Sequence, residues 1–321
     1  MKERLLLLGI IVALGSAIAQ AQSSSDLREK VAAASPLPNV AHTKPLVIRG
    51  TITLPRPKGA TEEGSFIRII APDKSGRDEY SFPDFQEVDI YRDHKSFMKR
   101  SVPFEPLALY YLKDAIGQIP LSSGDQLKSH GRKSIGGIPA TCVDVRQESG
   151  FSRKLCFDQK TGVLLTSTFV PDLLLEYSDY VQKDGLQYPA TIRVKEGHKT
   201  WAELKITDVI EEDVPASKFE PLPTAKVFTG CEGPHEDLKR IGGERPVYPP
   251  DAKRRHLGGR VTIYTVIGVD GKPHDATVVE SAGRELDSAA LAAVNTWRYK
   301  PFSCGGVPTE IESMIAVNFR N

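Results

Sequence analysis

The segment that most constrains the fold is residues 286–301, where the pattern of an amphipathic helix lies between stretches with β-strand alternation. Asp287 can accept hydrogen bonds from the first free backbone N–H groups of a helix, and its charge suits the positive end of the helix dipole. Arg298 and Lys300 suit the negative end, and Pro301 cannot continue a helix. The pattern predicts a short helix with an apolar face made of Ala289, Ala290, Ala293, Val294 and, at its far end, Trp297.

Period-2 segments flank this helix on both sides. Residues 260–268 are rich in β-branched side chains, and the turn dipeptide Asp270-Gly271 separates them from residues 277–281. Downstream, five alternate residues predict a strand with one covered face: Ile311, Ser313, Ile315, Val317 and Phe319. The order of these segments predicts an α+β domain, in which one helix packs across a small antiparallel sheet.

The same residues carry a family resemblance. They include Tyr248-Pro249, Val269-Asp270-Gly271, Leu286-Asp287, Trp297-Arg298-Tyr299-Lys300-Pro301 and Val317-Asn318-Phe319. With them, residues 235–321 closely resemble the TonB C-terminal domain. The alternative is that each of these residues only builds a scaffold, because the signature itself contains no chemistry.

What the resemblance implies is a docking function. TonB-like domains engage the periplasmic TonB-box segment of outer-membrane receptors through a sheet edge, which is ordinary strand addition. The edge expected here is residues 310–319, beside residues 245–249. The predicted partner-binding residues are Arg245, Pro246, Tyr248, Pro249, Glu312, Met314, Ala316 and Asn318.

The larger N-terminal part reads as successive antiparallel strands. Twelve period-2 segments between residues 46 and 210 are separated by turns such as 73–76, 158–162 and 182–185. One helical face interrupts them at residues 104–116, after Pro103. This order predicts a strongly curved sheet or half-barrel wrapped on one helix.

A second resemblance concerns this N-terminal part. Residues 155–162, 177–180, 185–189 and 219–221 look like outer-membrane lipoprotein-carrier folds of the LolA type. Such folds often carry an apolar ligand between sheet and helix, which makes Phe104, Leu107 and Tyr111 candidate lining residues. The alternative is that these three side chains fill a core.

The chain divides into five predicted regions. Residues 1–21 read as a signal peptide, because Lys2 and Arg4 precede an apolar stretch and a small-residue cleavage site. Residues 22–45 form a leader, 46–222 the LolA-like domain, 223–245 a linker and 246–321 the TonB-like domain. We expect an exported, periplasmic protein; the alternative is an inner-membrane anchor made by an uncleaved N-terminal helix.

Four cysteines in an exported chain indicate two disulfides, with three connectivities open. If residues 147–150 form a hairpin turn, Cys142 and Cys156 face each other across it, and Cys231 would then pair with Cys304. Four free thiols are the alternative. Cys231 and His235 could ligate a metal, but two ligands without a CxxC partner are a weak signal.

No sequence pattern points to catalysis. The chain has no GxSxG, P-loop, HExxH or dinucleotide fingerprint, and its seven histidines are scattered singly. We therefore expect no enzyme activity and neither a cofactor nor a metal. The processed chain would carry 40 basic and 40 acidic residues, so it has no net field to attract nucleic acid.

Two functional hypotheses follow. The first is a non-enzymatic envelope protein that binds a TonB-dependent receptor or another envelope protein by strand addition, in TonB-type transmembrane transport. TonB motor proteins carry a membrane helix and a long Pro-rich spacer, and the 23 prolines here are scattered, so docking is expected rather than force transmission. The second hypothesis is a soluble periplasmic carrier of lipid, lipoprotein or another apolar ligand.

Overall fold

The protein is described by a computed structural model. It covers residues 25–34, 36–38, 43–55, 60–93, 95–102, 105–117, 121, 123–147, 152–168, 173–229, 238–304 and 307–320. The side chains of residues 227–229, 304 and 307 are outside the description. The predicted signal peptide, residues 1–21, also lies outside the described residues. Within the described ranges, no helix is both long and apolar enough to cross a membrane.

Most strands of the described chain belong to one open antiparallel sheet. Its thirteen strands run in the order β13-β5-β4-β3-β2-β1-β12-β11-β10-β9-β8-β7-β6. The strands are β1 Leu46–Pro55, β2 Thr61–Ile70, β3 Gly76–Phe82, β4 Phe85–Arg92, β5 Lys95–Arg100, β6 Gln126–Ile135, β7 Ile138–Arg146, β8 Ser152–Asp158, β9 Leu164–Thr168, β10 Leu173–Lys183, β11 Leu186–Glu196, β12 Lys199–Glu211 and β13 Lys226–Thr229. The predicted curved antiparallel sheet is therefore confirmed.

Local turn chemistry explains why consecutive strands pair. Asp184 and Gly185 both have positive φ, 51° and 77°, which is what a two-residue hairpin turn between β10 and β11 requires. Asp158 closes the β8–β9 turn, because its carboxylate accepts from the Lys160 amide at 2.8 Å and from the Thr161 hydroxyl at 2.8 Å.

One helix of this region, α2 (Leu107–Ile116), follows the helical segment at residues 25–32, here called α1. Four α2 side chains are almost fully buried: Leu109, Leu112, Ala115 and Ile116. The Tyr177 hydroxyl donates to the Ala115 carbonyl at 3.0 Å, and Arg153 donates to both oxygens of Asp114 at 2.8 Å. These contacts tie the helix to β8 and β10.

The chain divides into two compact units. Unit 1 contains residues 1–66 and 111–212, and unit 2 contains residues 67–110 and 213–321. Unit 2 therefore holds β3 to β5 and β13 together with the whole C-terminal region. The predicted domain boundaries, 46–222 and 246–321, remain predictions.

The C-terminal region forms the predicted α+β arrangement. β15 (Gly259–Ile267), β16 (Pro273–Glu280) and β20 (Ile311–Phe319) make a sheet in the order β16-β15-β20. Helix α4 (Arg284–Val294) packs on it, and the short helix α3 (Pro250–Arg254) precedes it. The shared core consists of Ala252, Val261, Ile263, Ile267, Leu286, Ala290, Val294, Trp297, Tyr299, Ile315, Val317 and Phe319.

Helix α4 begins and ends at different residues from those that the sequence pattern predicts. It begins at Arg284 after Gly283, and Asp287 accepts from the Ala282 amide at 3.0 Å within its first turn. It ends at Val294, and Arg298–Tyr299 form the short strand β17, which pairs with β14 (Arg240–Gly242). After Val294 the backbone N–H groups of Thr296 and Trp297 bond the carbonyls three residues before them in a tight closing turn, and the chain then joins a strand.

The predicted linker, residues 223–245, is partly β-structure. β13 extends the large sheet beside β5, and β14 pairs with β17. Both strands are short, three or four residues, so their alternation is too brief to stand out in a Gly- and Pro-rich stretch. The strands β18 (Ser303–Cys304) and β19 (Val307–Pro308) form a further small hairpin.

A disulfide joins Cys142 on β7 to Cys156 on β8, as the hairpin hypothesis predicts. The two residues are directly opposite in the strand register, with their Cα atoms 4.0 Å apart. Cys231 lies outside the described residues, and the side chain of Cys304 is not described. The second pairing therefore remains a prediction.

Candidate functional site

The candidate site is the outer edge of β20. All nine residues of β20 pair with β15, from Ile311 opposite Ile267 to Phe319 opposite Gly259. Among the described residues no strand pairs with the other side of β20, so this side presents unpaired backbone N–H and C=O groups. The final strand is therefore an edge strand, which is what docking by strand addition needs.

The side chains of β20 alternate as predicted, but the second face is only partly exposed. Ile315, Val317 and Phe319 are buried toward α4, whereas Ala316 and Asn318 are exposed. At the other end of the strand, Glu312 and Met314 are half-buried. The register places the buried β15 residues Thr262, Tyr264 and Val266 opposite Ala316, Met314 and Glu312, so β15 is covered on both faces.

Glu312 is held by two partners of unit 2. The Tyr264 hydroxyl donates to Glu312 Oε1 at 2.9 Å, and the Arg100 guanidinium donates to Glu312 Oε2 at 2.9 Å. The Glu312 side chain is 21% exposed to solvent, and the Arg100 side chain is 7% exposed. This carboxylate is thus a fixed, charge-paired group at the start of the edge strand rather than a freely solvated one.

Arg100 also serves two further carboxylates. It pairs with Glu87, whose side chain is fully buried, and lies 3.5 Å from Glu105, whose side chain is 7% exposed. Three acidic side chains therefore share one guanidinium, and Asp89 is a fourth buried acid nearby. A single cation cannot fully neutralise them, so protonation becomes the easier way to bury some of them.

The pKa values follow from this imbalance. Burial raises the pKa of Asp89 to about 8, with further increases from Asp78 and smaller ones from Glu105 and Glu312. Burial raises the pKa of Glu105 to about 7, although Arg100 opposes the shift. The cluster therefore changes its charge between about pH 7 and 8.

A groove of about 310 Å³ lies beside this cluster in unit 2. Its lining mixes cations, hydroxyls, two apolar side chains and one carboxylate: Met98, Lys99, Arg100, Ser101, Val102, Thr224, Lys226 and Glu312. Lys99 donates to the Pro223 carbonyl at 3.1 Å, which fixes the segment that leads into β13. The groove can receive a polar side chain of a segment placed near the start of β20.

The segment that precedes α3 is packed on the end of α4. The Trp297 indole donates to the Glu244 carbonyl at 2.8 Å, and the Glu244 amide donates to the Thr296 hydroxyl at 2.9 Å. Gly243 has φ 103°, and a Cβ atom there would lie 2.5 Å from Trp297 Cα. Arg240 stacks on the Trp297 ring at 4.2 Å. These contacts fix where residues 245–249 begin.

The predicted partner-binding residues fall into two groups. Glu312, Met314, Ala316 and Asn318 share one face of β20. Tyr248 lies at the far end of that strand, where its ring is 5.5 Å from the Phe319 ring and its hydroxyl bonds the Leu257 carbonyl. Pro246 and Pro249 are half-buried, and Arg245 is exposed with no described contact to β20. The binding role of all eight residues remains a prediction.

The second candidate site, for an apolar ligand, also remains a prediction. Phe104 lies outside the described residues. Leu107 is buried, and Tyr111 is half-buried with its ring edge-on to Trp201 at 5.7 Å between centroids.

Sequence reasoning missed Arg100 and Tyr264. Arg100 lies 212 residues before Glu312, near the end of a strand predicted at residues 96–101. Nothing in the local pattern signals a contact over that separation. In the part of the chain that the structure describes, no group of three His, Cys, Asp or Glu side chains could hold a metal ion.

Comparison with known proteins supports the C-terminal assignment. Residues 244–320 match the family model of the Gram-negative bacterial TonB protein C-terminal region. Protein TonB from Pseudomonas aeruginosa is 37% identical over 71 residues, which span 22% of this chain and 21% of that protein. The matched segment is therefore similar to TonB C-terminal domains, and the chain covers about a fifth of the length of that relative.

Two solved structures resemble part of this chain at low sequence identity. A DUF1329 family protein from Desulfovibrio piger has a TM-score of 0.46 and 12% identity, over 62% of this chain and 96% of that chain. A LolA superfamily protein from Nitrosomonas europaea has a TM-score of 0.45 and 13% identity, over 61% of this chain and 97% of that chain.

Proposed function

We propose that this protein is a non-enzymatic binding protein of the bacterial cell envelope. Its TonB C-terminal domain would bind an extended segment of an envelope protein. The first candidate partner is a TonB-dependent receptor, which would place the protein in TonB-type transport. The observation that carries the proposal is the unpaired side of β20 in the order β16-β15-β20 of the described strands. The family match at residues 244–320 supports the choice of partner class.

Strand addition accounts for both affinity and selectivity. An incoming strand would satisfy the free backbone groups of β20, and its alternate side chains would contact Met314, Ala316 and Asn318. Ala316 is small and exposed, so a partner side chain can lie over it. Glu312, held by Arg100 and Tyr264, offers a fixed carboxylate for a basic or hydroxyl group of the partner.

The same edge has features that limit self-association. Glu310 is exposed just before β20, and Glu312 is negatively charged at its start. Two copies of β20 paired in antiparallel register would place charged and polar ends together with little apolar gain. A hetero-partner with complementary charge avoids this cost.

The compartment is part of the proposal. The basic and apolar pattern of residues 1–21 favours export, and the Cys142–Cys156 disulfide favours an oxidising environment such as the periplasm.

The direct test uses backbone-modified peptides and leaves the protein unchanged. A peptide from the periplasmic TonB-box segment of a receptor is measured by calorimetry, together with two versions N-methylated at alternate residues. Only one set of alternate amides faces β20 in an added strand, so methylation of that set should abolish binding and methylation of the other should not. Equal effects of both sets would defeat strand addition.

A protein variant gives the complementary measurement. Ala316→Pro removes a backbone N–H and disturbs the edge, whereas Ala316→Val keeps the N–H and suits a strand. With circular dichroism to confirm that both variants fold, only the proline variant should lose the peptide. If both folded variants bind as the parent does, β20 is not the docking edge.

A further inference from the structure

Strand β6 is an edge strand of the large sheet, and its surface differs in charge from that of β20. We propose that the β6–β7 hairpin of unit 1 docks lengthwise on an anionic phospholipid bilayer, with Ile138 at its turn in the interface and the basic side chains near the other end of the same face on the lipid phosphates. This inference is independent of peptide docking at β20.

The first observation is a charge imbalance on one face of the sheet. The register places Lys128, Asp144 and Lys154 side by side on β6, β7 and β8, with Arg146 next along β7. Asp144 is the one acid among them, and it is already shared by His130 and, at 3.8 Å, by Lys154. In the described part of the chain, Lys128 and Arg146 form no ion pair.

The same sheet face is neutral a few strands further on. There Lys195 pairs with Glu176 at 3.1 Å, and Arg193 pairs with Glu203 at 2.5 Å. The excess of positive charge on β6–β8 is therefore not continued at these positions of β10–β12, where each cation has a carboxylate partner.

The second observation is a groove of about 400 Å³ at these cations. Its lining combines them with neutral hydrogen-bonding groups: Gln126, Lys128, Asp144, Arg146, Ser152, Arg153, Lys154 and Thr168. A guanidinium beside ammonium and hydroxyl groups is the donor set that phosphate oxygens prefer. The groove is large enough for the phosphate and the first polar atoms of one lipid head group.

The third observation selects a bilayer over a soluble anion or an acidic peptide. The hairpin turns through Gly136 and Gly137, both with positive φ, between the cross-strand pair Ile135 and Ile138. Ile138 is 41% exposed, so an apolar side chain stands at the tip of an otherwise charged hairpin. A soluble phosphate gains nothing from an apolar side chain at the turn. A hairpin that lies along a membrane interface can place Ile138 and the basic groups at the other end of the same face in that interface together.

The hairpin is also held firmly enough to insert as a unit. The Cys142–Cys156 disulfide joins β7 to β8 directly behind the tip. Ile135 packs on the small core formed by Ala140, Cys142, Cys156 and Leu165. Docking would therefore require little ordering of the backbone.

Vesicle flotation with the full chain tests the proposal. The probes are vesicles of phosphatidylcholine alone and vesicles in which part of it is replaced by phosphatidylglycerol. We expect flotation with the anionic vesicles only, reduced by salt. The double variant Lys128→Gln/Arg146→Gln should lower partitioning roughly twenty-five-fold, about fivefold for each charge, and Ile138→Ser should lower it by about tenfold.

The matched control is Lys183→Gln/Lys205→Gln, which removes the same charge from exposed lysines that have carboxylate partners. It should float as the parent does. Equal flotation on neutral vesicles, equal losses in both double variants, or an unchanged Ile138→Ser variant would overturn the proposal. So would full competition by inorganic phosphate at matched ionic strength, which would assign the groove to a free anion.

Discussion

Replacing Arg100 by methionine tests whether one guanidinium holds the buried acids of unit 2 together. Methionine keeps much of the length and the apolar stem but removes the charge that faces Glu87, Glu105 and Glu312. Breaking a buried ion pair by removal of one partner costs about 3–5 kcal/mol, because the other charge stays buried and unpaired. At pH 8, above the pKa of about 7 of Glu105, we expect a loss of free energy of unfolding in that range.

The loss should shrink at low pH. Burial places the pKa of Glu105 at about 7 and that of Asp89 at about 8, both above their ordinary values of 4.5 and 3.8. Buried acids of this kind stabilise the fold in their protonated form; that contribution is complete below about pH 4 and is lost as the pH rises through 7 to 8. At pH 5 the acids of the variant can remain protonated, and the loss should fall to about 1 kcal/mol.

Urea unfolding followed by tryptophan fluorescence measures both values. In a Trp201→Phe background, Trp297 alone reports on unit 2. Arg255→Met is the control within unit 2, because its pair with Glu285 is more exposed, at 56% and 44% of the side chains, and should cost no more than about 1 kcal/mol. A similar loss for Arg100→Met at pH 5 and pH 8, or one below about 1 kcal/mol at pH 8, would refute the reasoning.

Three further outcomes are expected. Gly271→Ala should unfold the C-terminal domain in a melting experiment, because Gly271 has φ 74° and a Cβ atom would lie 2.1 Å from the Tyr299 carbonyl oxygen. Removal of the Cys142–Cys156 disulfide, which closes a sequence separation of 14, should lower the free energy of unfolding by about 3 kcal/mol in urea titrations. If the carrier hypothesis holds, native mass spectrometry of the purified chain should show an acyl ligand that Tyr111→Ala loses; a chain that is ligand-free throughout would end that hypothesis.

Local periodicity predicted much of the fold. The β20 strand was predictable because Ile315, Val317 and Phe319 alternate with polar or small residues, and period 2 is specific for a half-buried strand. The Cys142–Cys156 pairing was predictable because both residues lie equally far from a turn. The family signature adds the helix–sheet arrangement, because its Gly, Trp and Pro residues sit at fixed places in that scaffold.

What the sequence could not show depends on contacts between distant segments. The end of α4 was placed too late because Trp297 fits the apolar face of a longer helix, and only the pairing of β17 with β14 reveals that the helix has ended. Glu312 pairs with Arg100, which lies in the distant strand β5, and no local pattern indicates that these two residues meet. Such pairings depend on the topology of the fold, so they cannot be predicted from a short segment of one sequence.

The β14–β17 pairing has a practical consequence for recombinant fragments. The family match begins at residue 244, yet Arg240, which stacks on Trp297, and Gly243, which packs against it, both precede that position. A truncation at residue 244 would therefore strip one side of the tryptophan and leave β17 without its partner strand. A fragment that starts at residue 238 retains these contacts and should melt at the higher temperature.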